Sequence, residues 1–446
     1  MRIGISIFAL LATPGCLLYG QATPTATAPV SSTPASNVGS HAGFRLPGSD
    51  GTIHYELGAS QIVQYGYFGS GNVTGSAAVS GGIGYSSMST KAPFDMVYSG
   101  GVLISESSGQ NTSTYQDLSV SQGLMAGRWV FGLDDSVSYL PQSPTTGYSG
   151  IPGVGDIGVI PPGGPTAGYT GGLLTFSGDR VDNTVSGSAE RLFTGKTSAS
   201  AVGSWSIEHF LNGNEGFDNS GVSGEAALNH RIDGRDTISA NAVYSLFTFG
   251  KNEGGINFET RGVNGVFTRL LSRTLSLEVS AGPQWVTSSD KALIPNSLSA
   301  AASAGLGYAH GLTNAELGYT RGVNGGSGVQ LGGLSDTASA GVSHAYGREW
   351  LVAVTGSYSH TEALTKSNVL PPAGLTIPFG GTFSTVFGGV QVTRRISRSL
   401  SGYASYTAQH QSYDSKFTGV NAFNGTSHTF GIGITYTPHA LRLGQF

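Results

Sequence analysis

One cysteine stands in 446 residues, and only 11% of the residues carry charge. The single Cys16 excludes a disulfide framework. Ordinary soluble domains carry about 25% charged residues, so so little charge argues against a soluble enzyme of this length. Long apolar runs are missing too. No window reaches the ~18 unbroken apolar residues of a membrane helix, which excludes a helical membrane protein. A net charge of −4 leaves no basic footprint for nucleic acid. With 10% aromatics the chain is also unlike a disordered one. What is plentiful is glycine, 70 residues of it, together with Ser, Thr and Tyr.

The N-terminus opens with Met1-Arg2, continues with an apolar run from Ile3 to Ala12, and offers a small-x-small cleavage pattern at Gly20-Gln21-Ala22. This is the layout of a secretory signal peptide over residues 1–22. The competing reading is a lipoprotein signal with Cys16 lipidated. Gly15 fits that reading, while Thr13 and Pro14 do not. Residues 23–51 are rich in Pro, Ser and Thr and are expected to form a mobile leader.

From Thr52 onward the dominant signal is alternation with period two. Leu275, Leu277, Val279, Ala281 and Trp285 share one parity, and Ser276, Glu278, Ser280, Gly282 and Gln284 share the other. Ile238, Ala240, Ala242, Tyr244 and Leu246 alternate with Ser239, Asn241 and Ser245, and Phe430, Ile432, Ile434 and Tyr436 with Thr429, Gly431, Gly433 and Thr435. Side chains of a strand point alternately to opposite faces, so each segment has one apolar face and one small, polar face. Asp135 breaks the pattern, falling on the apolar parity of Trp129, Phe131 and Leu133. That predicts a bulge or a shifted register there.

The connections have their own regularity, with short turns alternating with longer loops. This predicts about eighteen strands, with sixteen as the alternative count, over a barrel at residues 52–438 and a tail at 439–446. Lys91, Arg128, Arg191, Lys196, Arg231, Arg235, Arg269, Arg273, Arg348, Arg394, Arg395 and Arg398 lie at or beside the short turns. Strand middles are thereby left uncharged on the apolar face, as contact with lipid requires. The unit Arg269-Leu-Leu-Ser-Arg273 recurs as Arg395-Ile-Ser-Arg398 and reads as one hairpin design used twice. Arg-Gly-Val-Asn-Gly also appears twice, at Arg261 and Arg321, either as Gly-rich strand ends or as a paired solute contact.

In hydrocarbon every backbone N–H and C=O must be paired, and a sheet achieves this only by closing into a barrel. The predicted fold is therefore all-β, an antiparallel transmembrane β-barrel with an apolar exterior. Parity and charge assign Asp134, Glu190, Glu225, Asn241, Glu259, Arg261, Glu278 and Glu316 to the lumen, because ionisable groups in a membrane span are expensive unless they face a wet cavity. Acids outnumber bases in this set, which predicts a weak cation preference.

Motifs for bond chemistry are missing. Gly153-Val-Gly155-Asp-Ile-Gly158 matches a dinucleotide pattern but has prolines around it and no strand and helix to frame it. The ten histidines have no metal-ligand spacing, and no nucleophile elbow with partners is present. His209, His230, His344, His360 and His410 lie at strand ends or on strands and are expected to be plain polar or interfacial residues. Trp129, Trp205, Trp285, Trp350, Tyr244, Tyr308, Tyr319, Tyr358 and Tyr406 suit interfacial girdles. No catalytic residue, cofactor or metal is expected.

The last strand, Thr429-Phe-Gly431-Ile-Gly-Ile434-Thr-Tyr436, resembles the C-terminal assembly signal of Gram-negative outer-membrane β-barrels, and the chain ends in Phe446 as many of them do. A tail separates Tyr436 from Phe446, a departure that leaves two candidate aromatics for the assembly machinery to read. The longest connection, residues 140–181, lies between the fifth and sixth strands, the position of the constriction loop in porins. It is rich in Gly and Pro and lacks the acidic sequence common in that loop; the alternative is a cap outside the barrel. The resemblance implies an outer-membrane channel for passive diffusion of small hydrophilic solutes. Its implied partners are outer-membrane lipid, the barrel-assembly machinery and small solutes, with a homotrimer as the usual porin assembly. A barrel-anchored adhesion protein is the alternative, and an outer-membrane hydrolase is a third reading without its motif.

Overall fold

The computed structural model describes residues 51–443 except 67–72, 88, 90, 106–111, 141–179, 212–217, 251–254, 327–330, 366–380, 415–423 and 440. The expectations for the signal peptide, the leader, the constriction loop and Phe446 lie outside the described residues.

Eighteen strands form the wall. They are β1 (Gly51–Tyr65), β2 (Val73–Ser87), β3 (Phe94–Ser105), β4 (Ser113–Ala126), β5 (Trp129–Leu140), β6 (Arg180–Leu192), β7 (Thr197–Phe210), β8 (Asn219–Arg231) and β9 (Asp236–Phe249). Then follow β10 (Asn257–Leu270), β11 (Leu275–Ser288), β12 (Ser297–His310), β13 (Thr313–Gly326), β14 (Leu331–Tyr346), β15 (Trp350–Ala363), β16 (Thr382–Arg395), β17 (Leu400–Tyr413) and β18 (Gly425–Tyr436). Each pairs antiparallel with its sequence neighbours, and β18 pairs with β1 from Leu57↔Tyr436 to Tyr65↔His428, which closes the barrel. The C-terminal tail is not idle: β19 (Leu441–Leu443) pairs with Gly51–Ile53 and lengthens the closing seam below Tyr436.

A strand of 14 residues at about 3.3 Å per residue is roughly 46 Å long. Tilted by about 40° it rises roughly 35 Å, enough to cross the ~25 Å apolar band of an outer-membrane-type barrel. With strands about 4.8 Å apart at that tilt, eighteen of them set a backbone radius of roughly 18 Å.

The two faces are sorted as alternation requires. Leu57, Leu133, Val222, Leu228, Leu317, Val354 and Ile432 point outward and are about half exposed or more, with nothing among the described residues to cover them. Ser200, Ser223, Ser245, Ser280, Ser303, Thr337, Ser359, Thr407 and Thr429 point inward. The aromatic residues expected at the interfaces all lie on the outer face. At the short-turn rim, the Arg191 guanidinium lies 5.3 Å from the Trp129 ring and that of Arg394 5.0 Å from the Trp350 ring. His344, His360 and His410 take the outer face as well, each tied to a neighbouring strand: His344 Nδ1 lies 2.6 Å from Thr313 Oγ1, His360 Nδ1 2.8 Å from Ser384 Oγ and His410 Nδ1 2.8 Å from Thr426 Oγ1.

Four of the short turns share one device. Thr194, Asp233, Ser272 and Ser397 each stand second in a four-residue connection, and each side-chain oxygen accepts a backbone N–H two residues on, as an Asx or Ser/Thr turn does. The recurring Arg269 and Arg395 units are two copies of this turn. Gly127, Gly311 and Gly347 serve the tighter turns with φ of 63°, 59° and 65°, backbone that a side chain would strain.

Asp135 corrects the expectation of a bulge. The ladders from β5 to β4 and to β6 run without interruption through it, and it points outward. Asn183, also outward on β6, donates from Nδ2 to Asp135 Oδ1 at 2.8 Å. A local hydrogen bond thus accommodates the carboxylate on the outer face without a change of register.

Candidate functional site

The inner wall is a surface of small hydroxyls interrupted by a few larger polar groups. Asp134, Glu190, Glu225, Asn241, Glu278 and Glu316 lie on inward positions, each opposite an inward neighbour: Glu190 faces Ser200, Glu225 faces Val243, Glu278 faces Gly305 and Glu316 faces Gly341. Asn241 Nδ2 donates to Glu225 Oε1 at 2.7 Å, which fixes the orientation of that amide. Glu56, Asp117, Asp182 and Glu208 share the inward face, which parity also indicates for their strands. Inward bases are fewer among the described side chains: Arg231 on β8 and Arg395 on β16.

Glu259 and Arg261 do not belong to the lumen. They pair across the ladder with Leu246, Tyr244 and Trp285, which are on the outer face. Arg261 donates to Glu259 Oε1 at 2.7 Å and Tyr244 donates from its hydroxyl to Oε2 at 3.1 Å. The second Arg-Gly-Val-Asn-Gly copy builds the same cluster, with Arg321 on Asp336 Oδ2 at 2.5 Å and Tyr319 on Asp336 Oδ1 at 2.6 Å. Both arginines sit outside the barrel near the long-loop rim, so neither arginine of the repeat is a solute contact. Phe258, the β10 residue before Glu259, takes the inward place, and alternation then puts Glu259 and Arg261 on the outer face.

Phe258 belongs to an apolar cluster inside the long-loop mouth. Phe249, Ile256, Phe258, Val286, Leu293, Ile294 and Leu331 are each exposed by 6% or less, with Phe247, Val323 and Leu364 packed against them. The connection after β11 contributes a single turn: Asp290 Oδ1 accepts from the amides of Ala292 and Leu293 at 3.0 and 3.1 Å, and its carbonyl accepts from Ile294 at 2.9 Å. The end of β13 reaches the same place. Its pairing with β12 stops at Ala302↔Arg321, although both strands continue. The Val323 amide instead donates to Gln284 Oε1 on β11 at 3.1 Å. A Cβ on Gly325 would lie 2.6 Å from the Phe247 ring, and one on Gly332 2.6 Å from the Phe258 ring. The described ends of β13 and β14 are thus drawn inward toward Phe247 and Phe258. Each side chain taken out of water here is worth about 1.5–3 kcal/mol, against about 1 kcal/mol for the amide bond. Apolar packing holds the hairpin end, and the hydrogen bond sets where it rests.

A groove of about 650 Å³ bordered by Trp350, Arg394, Ile396, Gly402 and Ile434 lies mainly against outward residues and is not part of the lumen. Asp233, in a short turn, has its carboxyl held below the usual range by the amides of Arg235 and then Asp236. Among the described residues no three His, Cys, Asp or Glu side chains are grouped so as to hold a metal ion.

Closed wall, apolar belt and polar interior together define a transmembrane β-barrel of the outer-membrane type. No family model matches the sequence, and no curated protein matches it either. Solved structures similar in form include the outer membrane protein opdK from Pseudomonas aeruginosa, at 11% identity over 88% of this chain and 99% of that one, with a TM-score of 0.43. OccK2 (OpdF) of the same organism, solved in complex with glucuronate, is 12% identical over 88% and 98%, TM-score 0.41. The siderophore receptor PirA, also from Pseudomonas aeruginosa, is 9% identical over 87% and 80%, TM-score 0.43. At this distance what those proteins bind remains a property of theirs.

Proposed function

We propose that the chain is an outer-membrane channel through which small hydrophilic solutes diffuse passively, with a weak preference for cations. The observation that carries this is the inner wall: eighteen strands enclose a wide interior faced with Ser and Thr hydroxyls, and its ionisable groups are mostly carboxylates. A carboxylate-lined passage attracts cations and repels anions. The mechanism is size exclusion at the mouth, narrowed by the inward hairpin end and the turn at Asp290, with an electrostatic bias from the wall below and no bond chemistry. The same reading takes Thr429, Gly431, Ile434, Tyr436 and Phe446 as the assembly signal, and keeps the barrel-assembly machinery and a homotrimer as proposed partners.

Liposome swelling with sugars of graded size tests the channel. Entry that falls off with solute size is expected. Swelling no faster than in protein-free vesicles sinks the reading and leaves the barrel as an anchor for its outer loops.

A further inference from the structure

The groove on the outer face has a floor of small residues and one charged end. On β17, Gly402 and Ala404 are successive outward positions, and Tyr406 is the next. Gly402 lies between Arg394 of β16 and Ile434 of β18, and Ala59 of β1 continues that row. Ala404 lies between Val392 and Ile432. A glycine and a methyl between neighbours with larger side chains leave an open furrow along the strand, and its volume is about 650 Å³. Toward the membrane centre the Tyr406 ring, packed on Phe430 at 4.8 Å, stands at the next outward position. Four residues separate Gly402 from Tyr406, roughly 13 Å of strand.

Arg394 and Trp350 stand at the short-turn end. The guanidinium lies 5.0 Å from the Trp350 ring, a contact that holds it at the rim, where tryptophan marks the headgroup level. Arg394 is exposed, and among the described residues no ion pair includes it, not even with Glu349 in the turn before Trp350. Arg269, also beside a short turn, has Asp236 at 3.6 Å. Arg398, in the turn after β16, adds a second positive charge. In a bilayer an apolar groove gains nothing from leaving water, because hydrocarbon surrounds it in every state. Van der Waals packing and the charge at its end must do the selecting. A guanidinium takes phosphate oxygens through two parallel N–H bonds. A zwitterionic headgroup carries an ammonium beside its phosphate, and that charge opposes the arginines.

We infer that this groove holds one phospholipid with a net negative headgroup, its phosphate on Arg394 and one acyl chain laid over Gly402 and Ala404. Such a molecule is retained, whereas the lipid shell around the rest of the wall exchanges. The inference needs only the transmembrane barrel and does not depend on the channel reading.

The test is native mass spectrometry of the full chain released from detergent, after titration with phosphatidylglycerol or with phosphatidylcholine of the same acyl chains. The wild type is expected to retain one phosphatidylglycerol at concentrations several-fold below those needed for phosphatidylcholine. Arg394→Gln is expected to abolish that preference. Ala404→Leu, which fills the floor and changes no charge, is expected to weaken retention of both lipids several-fold. Both changes fall at exposed positions, so the heat-modifiable folded form in detergent should be kept. Arg191→Gln is the control, since its guanidinium lies on the Trp129 ring at the same rim, away from the groove; it should bind as the wild type does. Equal retention of the two lipids by the wild type overturns the inference. So does wild-type retention by Arg394→Gln or by Ala404→Leu. A loss of preference in Arg191→Gln as large as that in Arg394→Gln overturns it too, because rim charge in general then suffices. If Ala404→Leu instead separates copies of the chain that the wild type keeps together, with lipid retention unchanged, the groove is an interface between protomers and the inference fails.

Discussion

The Val323 amide donates to the side-chain oxygen of Gln284 across an intervening strand, at 3.1 Å. The bond exists because β13 leaves β12 after Arg321 and its end is pulled toward Phe247 and Phe258. The inward position of these strand ends therefore depends on aromatic packing. Phe258→Ala is expected to release the hairpin end. Single-channel conductance should rise and become noisier, with a loss of stability of about 3–5 kcal/mol for a fully buried phenylalanine. Conductance identical to the wild type, in a variant that melts lower, means that this end does not limit the passage.

The placement of carboxylates makes a paired prediction. Glu278→Lys and Glu316→Lys put positive charge on the inward face, and each is expected to move the potassium-chloride reversal potential toward anion preference. Glu259→Lys makes the same change in charge on the outer face and is expected to leave the reversal potential where it was. An equal shift from all three contradicts the register of β10.

That register is also where the sequence and the structure part. Alternation identifies a strand when one face meets lipid and the other meets water, as along β9, β11, β15 and β18. The turns were equally legible, since Gly, Asp, Ser and Thr with flanking arginines mark them. Near the mouth the rule inverts, because apolar residues there pack inside on one another. Phe258 reads as outward by hydrophobicity and points in, and Glu259 and Arg261 are displaced to the outside with it. A signal was present in Leu293-Ile294, an apolar pair in a connection where lipid contact has no use for it.

Gly282 is the position least open to substitution on β11. A Cβ there would lie 1.9 Å from the Val263 carbonyl oxygen and 2.4 Å from Asn264 Oδ1. Pro283 follows, with no N–H to give the ladder, and the pairing of β10 with β11 passes from Gly262↔Gln284 to Gly265↔Ala281. The strands approach closely at that interruption, and a backbone oxygen cannot swing aside as a side chain can. Gly282→Ala is expected to cost at least the roughly 1–3 kcal/mol of an overpacked site. The check is the fraction that refolds to the heat-modifiable form in detergent. Gly265→Ala, where a Cβ meets nothing within 4 Å, should refold like the wild type.

The turn at Asp233 makes the barrel's stability depend on pH in a defined direction. Its Oδ1 accepts from the Arg235 amide at 2.6 Å and the Asp236 amide at 2.9 Å, and these bonds hold the carboxyl below the usual carboxylate range. A depressed value in the folded state means that the unfolded chain takes up the proton first as pH falls. The contribution is therefore complete above about pH 4, the ordinary range of an unfolded aspartate, and is lost as pH drops through the lower folded value. Asp233→Ala is expected to melt slightly below the wild type at neutral pH, by an amount that stays constant down to mildly acidic conditions and shrinks below about pH 4. Ser397→Ala removes the equivalent acceptor from the turn before β17 without removing an ionisable group. Its deficit should not change with pH over the same range. A deficit for Asp233→Ala that is equally flat assigns the turn to geometry alone, with no part for its charge.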